Sequence, residues 1–172
     1  HDVERIYTRL SNKAHFAPVH ILLYTLPGIP SIYYGSEFAI EGRKEQHSDE
    51  SLRPALDLND YQSALTDNQA TALIARLGAI RQANPVLSYG TYTELLLTNR
   101  QYAFSRRWND RIAITAVNND DGEDTLSLPA EGRQEYIGLL SGQHYAETDG
   151  RISIRLDANS GDILIPAEET EA

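Results

Sequence analysis

The 172 residues suffice for one domain, or two small ones, with a real core, and no apolar run reaches the roughly 18–20 residues of a membrane span. Lys and Arg number 15 against 25 Asp and Glu, a net charge of −10 without any basic stripe, so a nucleic-acid partner is excluded and a neutral substrate or a protein partner fits better. Cysteine is absent, which removes disulfides, thiolate metal sites and cysteine nucleophiles. No basic, apolar-cored signal segment opens the sequence, which favours a cytoplasmic over a secreted setting. A chain starting at His1 rather than Met is expected to be part of a longer one.

Residues 1–11, beginning His1-Asp2-Val3-Glu4-Arg5-Ile6, read as a strand-end loop leading into a helix. That helix is predicted to start near Asn12 or at Pro18 and to carry the apolar segment Val19 to Leu26 until Pro27-Gly28 stops it. Ser31-Ile32-Tyr33-Tyr34 then reads as a short apolar strand ended by Gly35. A helix, a tight turn and a strand without polar alternation suit a parallel strand covered on both faces, which needs neighbours to take its hydrogen bonds. Glu37 to Thr66 is polar and without period, and a loop this long inside a compact domain is usually functional. Within it, Asp57 to Tyr61 is predicted to form a helical turn. Residues 66–84 give the clearest helix: Thr66 and Gln69 have capping-box spacing, Leu73, Ile74, Leu77 and Ile80 form one stripe, and Asn84-Pro85 ends it.

From Val86 the period becomes two. Strands are predicted over residues 92–97, 102–108, 111–118, 125–128, 136–140 and 151–156, with turn chemistry at Asn109-Asp110, Asn119 to Gly122, Ser141-Gly142, Asp149-Gly150 and Ser160-Gly161. Asp149-Gly150 ahead of Arg151-Ile152-Ser153-Ile154 is a strong hairpin signal. Short strands at this density imply an antiparallel sandwich, and Pro166 onward reads as an acidic tail.

Four blocks in order carry a resemblance. His1-Asp2 followed by Arg5, Leu26 to Glu37, Leu77 to Leu87, and Tyr102 to Arg106 with Ala116 to Asn119 are similar to motifs of the α-amylase family, glycoside hydrolase family 13. Leu52-Arg53-Pro54 leans toward the neopullulanase, cyclomaltodextrinase and maltogenic amylase group, with plain α-amylase close behind. The resemblance implies α/β followed by all-β: the last strands and helices of a (β/α)8 TIM barrel over residues 1–85, a Greek-key antiparallel β-sandwich over 86–168, and an acidic tail at 169–172. It implies retaining hydrolysis of α-glucosidic bonds in starch-like oligosaccharides, maltodextrins or cyclodextrins. The nucleophile and general acid would lie upstream of His1, so this chain alone is expected to be inactive.

The same resemblance implies roles for individual residues. Asp2 would stabilise the transition state, His1 would hydrogen-bond the same sugar, and Asp49 and Arg53 would bind glucose units on the non-reducing side of the cut. Read without it, His1-Asp2 is a solvated polar end and Asp49–Arg53 an i,i+4 ion pair on a loop turn. Glu37 follows Ser36 where the family usually carries Asp, which weakens a role near the barrel mouth. Trp108 and Tyr102 are more ordinary as core aromatics than as sugar platforms. His15, His20, His47 and His144 lack metal-ligand spacing, so no metal or cofactor is expected in this chain, calcium remaining an option for the intact enzyme. The expected partners are an α-glucan, the upstream part of the same enzyme and a second copy in a homo-oligomer, with neither nucleic acid nor membrane. The rival readings are a carbohydrate-binding or structural module built on the sandwich, and an inactive family member serving as a transporter or scaffold subunit.

Overall fold

The computed structural model describes residues 2–169. Five helices come first: α1 (Ile6–Arg9), α2 (Phe16–Thr25), α3 (Ala64–Asp67), α4 (Gln69–Ala83) and α5 (Val86–Tyr89). Eight strands follow: β1 (Thr91–Leu97), β2 (Gln101–Trp108), β3 (Arg111–Asn118), β4 (Asp124–Pro129), β5 (Glu135–Gly138), β6 (His144–Ala146), β7 (Arg151–Leu156) and β8 (Ser160–Pro166). Every ladder is antiparallel. Six strands pair in the order β1-β2-β3-β8-β5-β6, and β4 pairs with β7 as a separate ribbon.

The central sheet is packed on both faces. Toward the β4–β7 ribbon, Ile112, Ile114 and Ala116 meet Leu126, Leu128 and Ile154. On the other face the alternate residues Ala113 and Val117 meet Ile21 of α2 and Leu77 and Ile80 of α4. Strand β3 is therefore buried at nearly every position, which a two-residue period allows only when both faces are covered. A bulge between Glu94 and Leu96 lets both Leu95 and Leu96 rest against the ribbon-side core.

Two guanidinium groups hold the helices in place, Arg106 from strand β2 and Arg81 from helix α4. Arg106, 1% exposed, donates from Nη1 to Thr25 O at 2.7 Å and Leu87 O at 2.9 Å, and from Nε and Nη2 to Gly90 O at 3.1 and 2.8 Å. Arg81 donates to Tyr24 O and to Gly28 O at 2.5 and 2.7 Å. Helix α2 has no basic residue in its own last turn, and these two cations supply the charge its C-terminal carbonyls favour. Burial holds the Arg106 pKa below its ordinary value, with Arg81 adding to the effect.

Several sequence expectations change. Residues 31–34 form no hydrogen-bonded strand, because no parallel neighbour exists among the described residues to pair with their backbone, so a TIM-barrel fragment is not evident here. The predicted helix over 66–84 splits: Asn68 caps α4 by accepting from Ala70 N and Thr71 N at 2.9 and 3.2 Å, while Thr66 Oγ1 bonds Ser63 O. Asp57 caps the predicted turn, a 3₁₀ helix over Leu58–Tyr61. Ser160-Gly161 opens β8 rather than standing apart as a turn, and Pro166 ends that strand rather than starting a tail. Gly161 is needed there, because a Cβ would lie 2.7 Å from Ala116 O. At Asp149-Gly150 the hairpin turn forms, with φ of 53° and 77° and mutual Thr148–Arg151 backbone hydrogen bonds at 2.8 and 3.0 Å. Residues 170–172 of the acidic tail lie outside the described residues.

Candidate functional site

Three of the four predicted site residues meet. Arg53 Nη2 donates to Asp2 Oδ1 at 2.5 Å and to Asp49 Oδ2 at 3.0 Å, bridging carboxylates that lie far apart in sequence. Lys44 Nζ engages the other Asp49 oxygen. Side-chain exposures of 43% for Arg53, 62% for Asp2 and 31% for Asp49 leave all three within reach of a ligand. His1, the fourth, lies outside the described residues.

Local structure places the trio. Ser48 Oγ accepts from Glu50 N at 3.1 Å and starts a 3₁₀ turn over Glu50–Leu52, in which Leu52 N and Arg53 N return to Asp49 O, both at 3.0 Å. That single turn brings Asp49 and Arg53 to one side. The Lys44 hydrogen bond, aided by the positive charges of Lys44 and Arg53, holds the Asp49 carboxyl below the usual carboxylate range. The turn is anchored from behind by Arg5, 4% exposed, whose Nη1 reaches Tyr34 O at 2.8 Å and Ser36 Oγ at 3.4 Å. Its Nη2 donates to Leu52 O at 2.8 Å, next to Arg53. The Arg5 guanidinium sits 5.1 and 5.4 Å from the Tyr33 and Tyr34 rings. At the other end of the loop, Gly42 O accepts from Arg5 N at 3.1 Å and Gly42 N donates to Thr8 Oγ1 at 2.8 Å. Tyr34 OH closes the far side on Pro54 O at 3.1 Å. The anchoring roles of Arg5 and Lys44 were not assigned from sequence. The one signal for Arg5 was its fixed spacing after His1-Asp2.

The remaining candidates sit elsewhere. Glu37 turns toward α4, its carbonyl accepting from Thr71 Oγ1 at 2.8 Å. Trp108 and Tyr102 are partly buried against the helix–sheet core, as the ordinary reading of strand aromatics expects. Trp108 lies 5.4 Å from the Tyr89 ring, and Tyr102 shares a hydroxyl contact with Tyr92. Burial and that hydroxyl raise the Tyr102 pKa to about 12. Among the described residues no group of three or more His, Asp or Glu is arranged to hold a metal ion, and no helix is long and apolar enough to cross a membrane.

Beside the trio an apolar cleft of about 530 Å³ runs along the outer face of α2, lined by Val19, Leu22, Leu23, Leu26, Ile32 and Tyr33, with Arg5 in its wall. A smaller groove of about 300 Å³ shares Val19 and Leu22 and continues to the β1–β2 turn at Leu97 to Gln101.

Residues 90–164 match the family model of the α-amylase C-terminal domain. A cyclomaltodextrin glucanotransferase of Bacillus sp. (strain 1-1) is 30% identical over 128 residues, which cover 74% of this chain and 17% of that enzyme. An α-amylase of Niallia circulans is 26% identical over 120 residues, covering 70% of this chain and 21% of that protein. The crystal structure of an Anoxybacillus α-amylase superposes with a TM-score of 0.78 at 28% identity, covering 96% of this chain and 36% of that one. The structural match thus runs through the helices as well as the sheet. The chain spans about a fifth of the length of these curated relatives.

Proposed function

We propose that this chain, a member of the α-amylase family through its C-terminal domain, is part of a retaining glycoside hydrolase that cleaves α-glucosidic bonds in starch-like oligosaccharides, maltodextrins or cyclodextrins. Residues 1–85 would complete its (β/α)8 barrel and residues 86–168 form its C-terminal sheet domain. The observation that carries the reading is the Asp2–Arg53–Asp49 cluster, assembled from two distant segments with all three side chains open to a ligand.

Each member has a task suited to its chemistry. An Asp2 carboxylate facing the scissile sugar would stabilise the positive charge that develops on the ring. Arg53 and Asp49 together offer N–H donors and carboxylate acceptors, and vicinal sugar hydroxyls match both. The nucleophile and the general acid would come from the upstream part of the same polypeptide. The apolar cleft and groove along α2 would receive that part, since leaving a large aliphatic side chain such as Leu22 in water costs about 1.5–3 kcal/mol. Once seated, it would also provide the neighbours that residues 31–34 lack.

In the whole enzyme, Asp2→Asn should cut kcat severely with glucan binding nearly intact, because a charge opposing the ring cation acts mainly in the transition state. Arg53→Ala should act chiefly on KM for longer substrates. An Asp2→Asn enzyme that changes KM alone refutes the assignment.

A further inference from the structure

We infer that Arg5 is a positioning residue for the glucan-binding pair: it holds Arg53 against Asp2 without touching sugar itself. This rests on the function proposed above. The two sealed arginines of the fold make an instructive contrast. Arg106 spends its donors on Thr25, Leu87 and Gly90, the ends of α2 and α5, and so serves the packing of helix on sheet. Arg5 spends its donors on Tyr34, Ser36 and Leu52, and its own backbone N–H on Gly42. These acceptors belong to the segments that flank the site.

The loop from Gly42 to Arg53 is wrapped around this one side chain. A Cβ on Gly42 would stand 3.1 Å from Arg5 Cδ, so the start of the loop rides on the stem, and Leu52 O near its end is held by the tip. Asp2 lies three residues before Arg5 and Arg53 immediately follows Leu52. The distance between the two charged groups is therefore set through a single rigid guanidinium. A planar fork fixes Tyr34 O and Leu52 O together, which a lysine ammonium on a flexible stem does not.

A double-mutant cycle in the whole enzyme tests this, with kcat and KM measured on maltoheptaose for Arg5→Lys, Arg53→Ala and the double variant. Arg5→Lys should lower kcat/KM about tenfold or more, mostly through KM, in line with the cost of a misplacement near 1 Å. In the Arg53→Ala background the same substitution should change KM less than about twofold, because the group it positions is gone. Multiplying fold-changes overturn the positioning role and leave Arg5 a packing residue. An Arg53→Ala enzyme with unchanged KM overturns the substrate-binding reading itself, and the Arg5 assignment with it. Should Arg5→Lys fail to fold, Ser36→Ala, which removes the Oγ acceptor of Arg5 Nη1 at 3.4 Å, should show the same dependence on Arg53.

Discussion

Arg106→Met is the sharpest test of how the helices are held to the sheet. Methionine keeps much of the aliphatic stem, so the change removes four N–H contacts and leaves the carbonyls of Thr25, Leu87 and Gly90 without those donors in a site that is 1% exposed. An unsatisfied buried acceptor costs about 1–3 kcal/mol, and three of them would cost about 3–9. Part is returned, since a desolvated cation no longer has to be accommodated and an apolar side chain gains burial. A net loss of about 3–5 kcal/mol is expected, large against the ~5–15 kcal/mol of a typical domain. Trp108 is the only tryptophan and lies two residues along β2 from Arg106, so urea unfolding followed by its fluorescence reports on this region directly. The midpoint should fall with an unchanged slope. A loss below about 1 kcal/mol would show that water or neighbouring donors already serve those carbonyls, and the argument that Arg106 joins the layers would fail.

Other perturbations follow from the same geometry. Gly42→Ala places a Cβ 2.4 Å from Ser51 O and should destabilise the 42–53 loop by about 1–3 kcal/mol, seen as faster amide exchange there and not in β3. His20, sealed against Phe16, has its pKa lowered from 6.5 by burial, so the unfolded chain binds the proton more readily than the folded one. Stability should thus be level above pH 6.5 and decline as pH falls below it; His20→Gln should flatten that decline, and an unaltered slope would discount the residue. Asp162→Ala removes the acceptor of Leu140 N and Ile163 N, at 2.9 and 2.8 Å, and should cost about 2–4 kcal/mol in urea unfolding. The isolated chain, with its α2 cleft uncovered, should associate or bind apolar dyes; a 19.2 kDa monomer with residues 12–40 protected from exchange would refute the docking role given to that face.

The strands most legible in the sequence were those with one buried face. Arg151 to Leu156 alternates cleanly, and its buried Ile152, Ile154 and Leu156 all face the ribbon-side core. Strand β8 was missed for the opposite reason: it lies between β3 and β5, carries buried Asp162 in its first half, and starts with residues that elsewhere make turns. Its polar member is tolerated because Leu140 N, Ile163 N and Ser141 satisfy the carboxylate, and no local pattern announces those partners. The Asp49–Arg53 pair was visible as an i,i+4 spacing, whereas the third partner, Asp2, lies 51 residues from Arg53 and joins them only through the anchoring of the whole loop. The apolar residues of 31–34 were read as a strand wanting neighbours, and among the described residues they form no strand. What periodicity does not state is whether those neighbours are in the same stretch of chain.

Three strand pairings of the second half, β3–β8, β4–β7 and β5–β6, are nested, and this bears on the order in which they form. Tyr136 sits opposite Tyr145, outside that pair Leu126 faces Ile154, and outside both Ile114 faces Leu164. Formed from the outside in, the β3–β8 contact would have to close the longest loop first. Formed from the inside out, each ladder shortens the free chain that the next must close, and closure entropy rises only logarithmically with that length. The short β5–β6 hairpin, closed by the Gly138 N to Gln143 O hydrogen bond at 2.8 Å, is the natural starting point. The helices then have a face to settle on only after β3 and β8 have met, because the apolar surface they cover is made from those two strands together. A chain emerging from the ribosome would hold α2 and α4 without the sheet face they cover until β8 had been added.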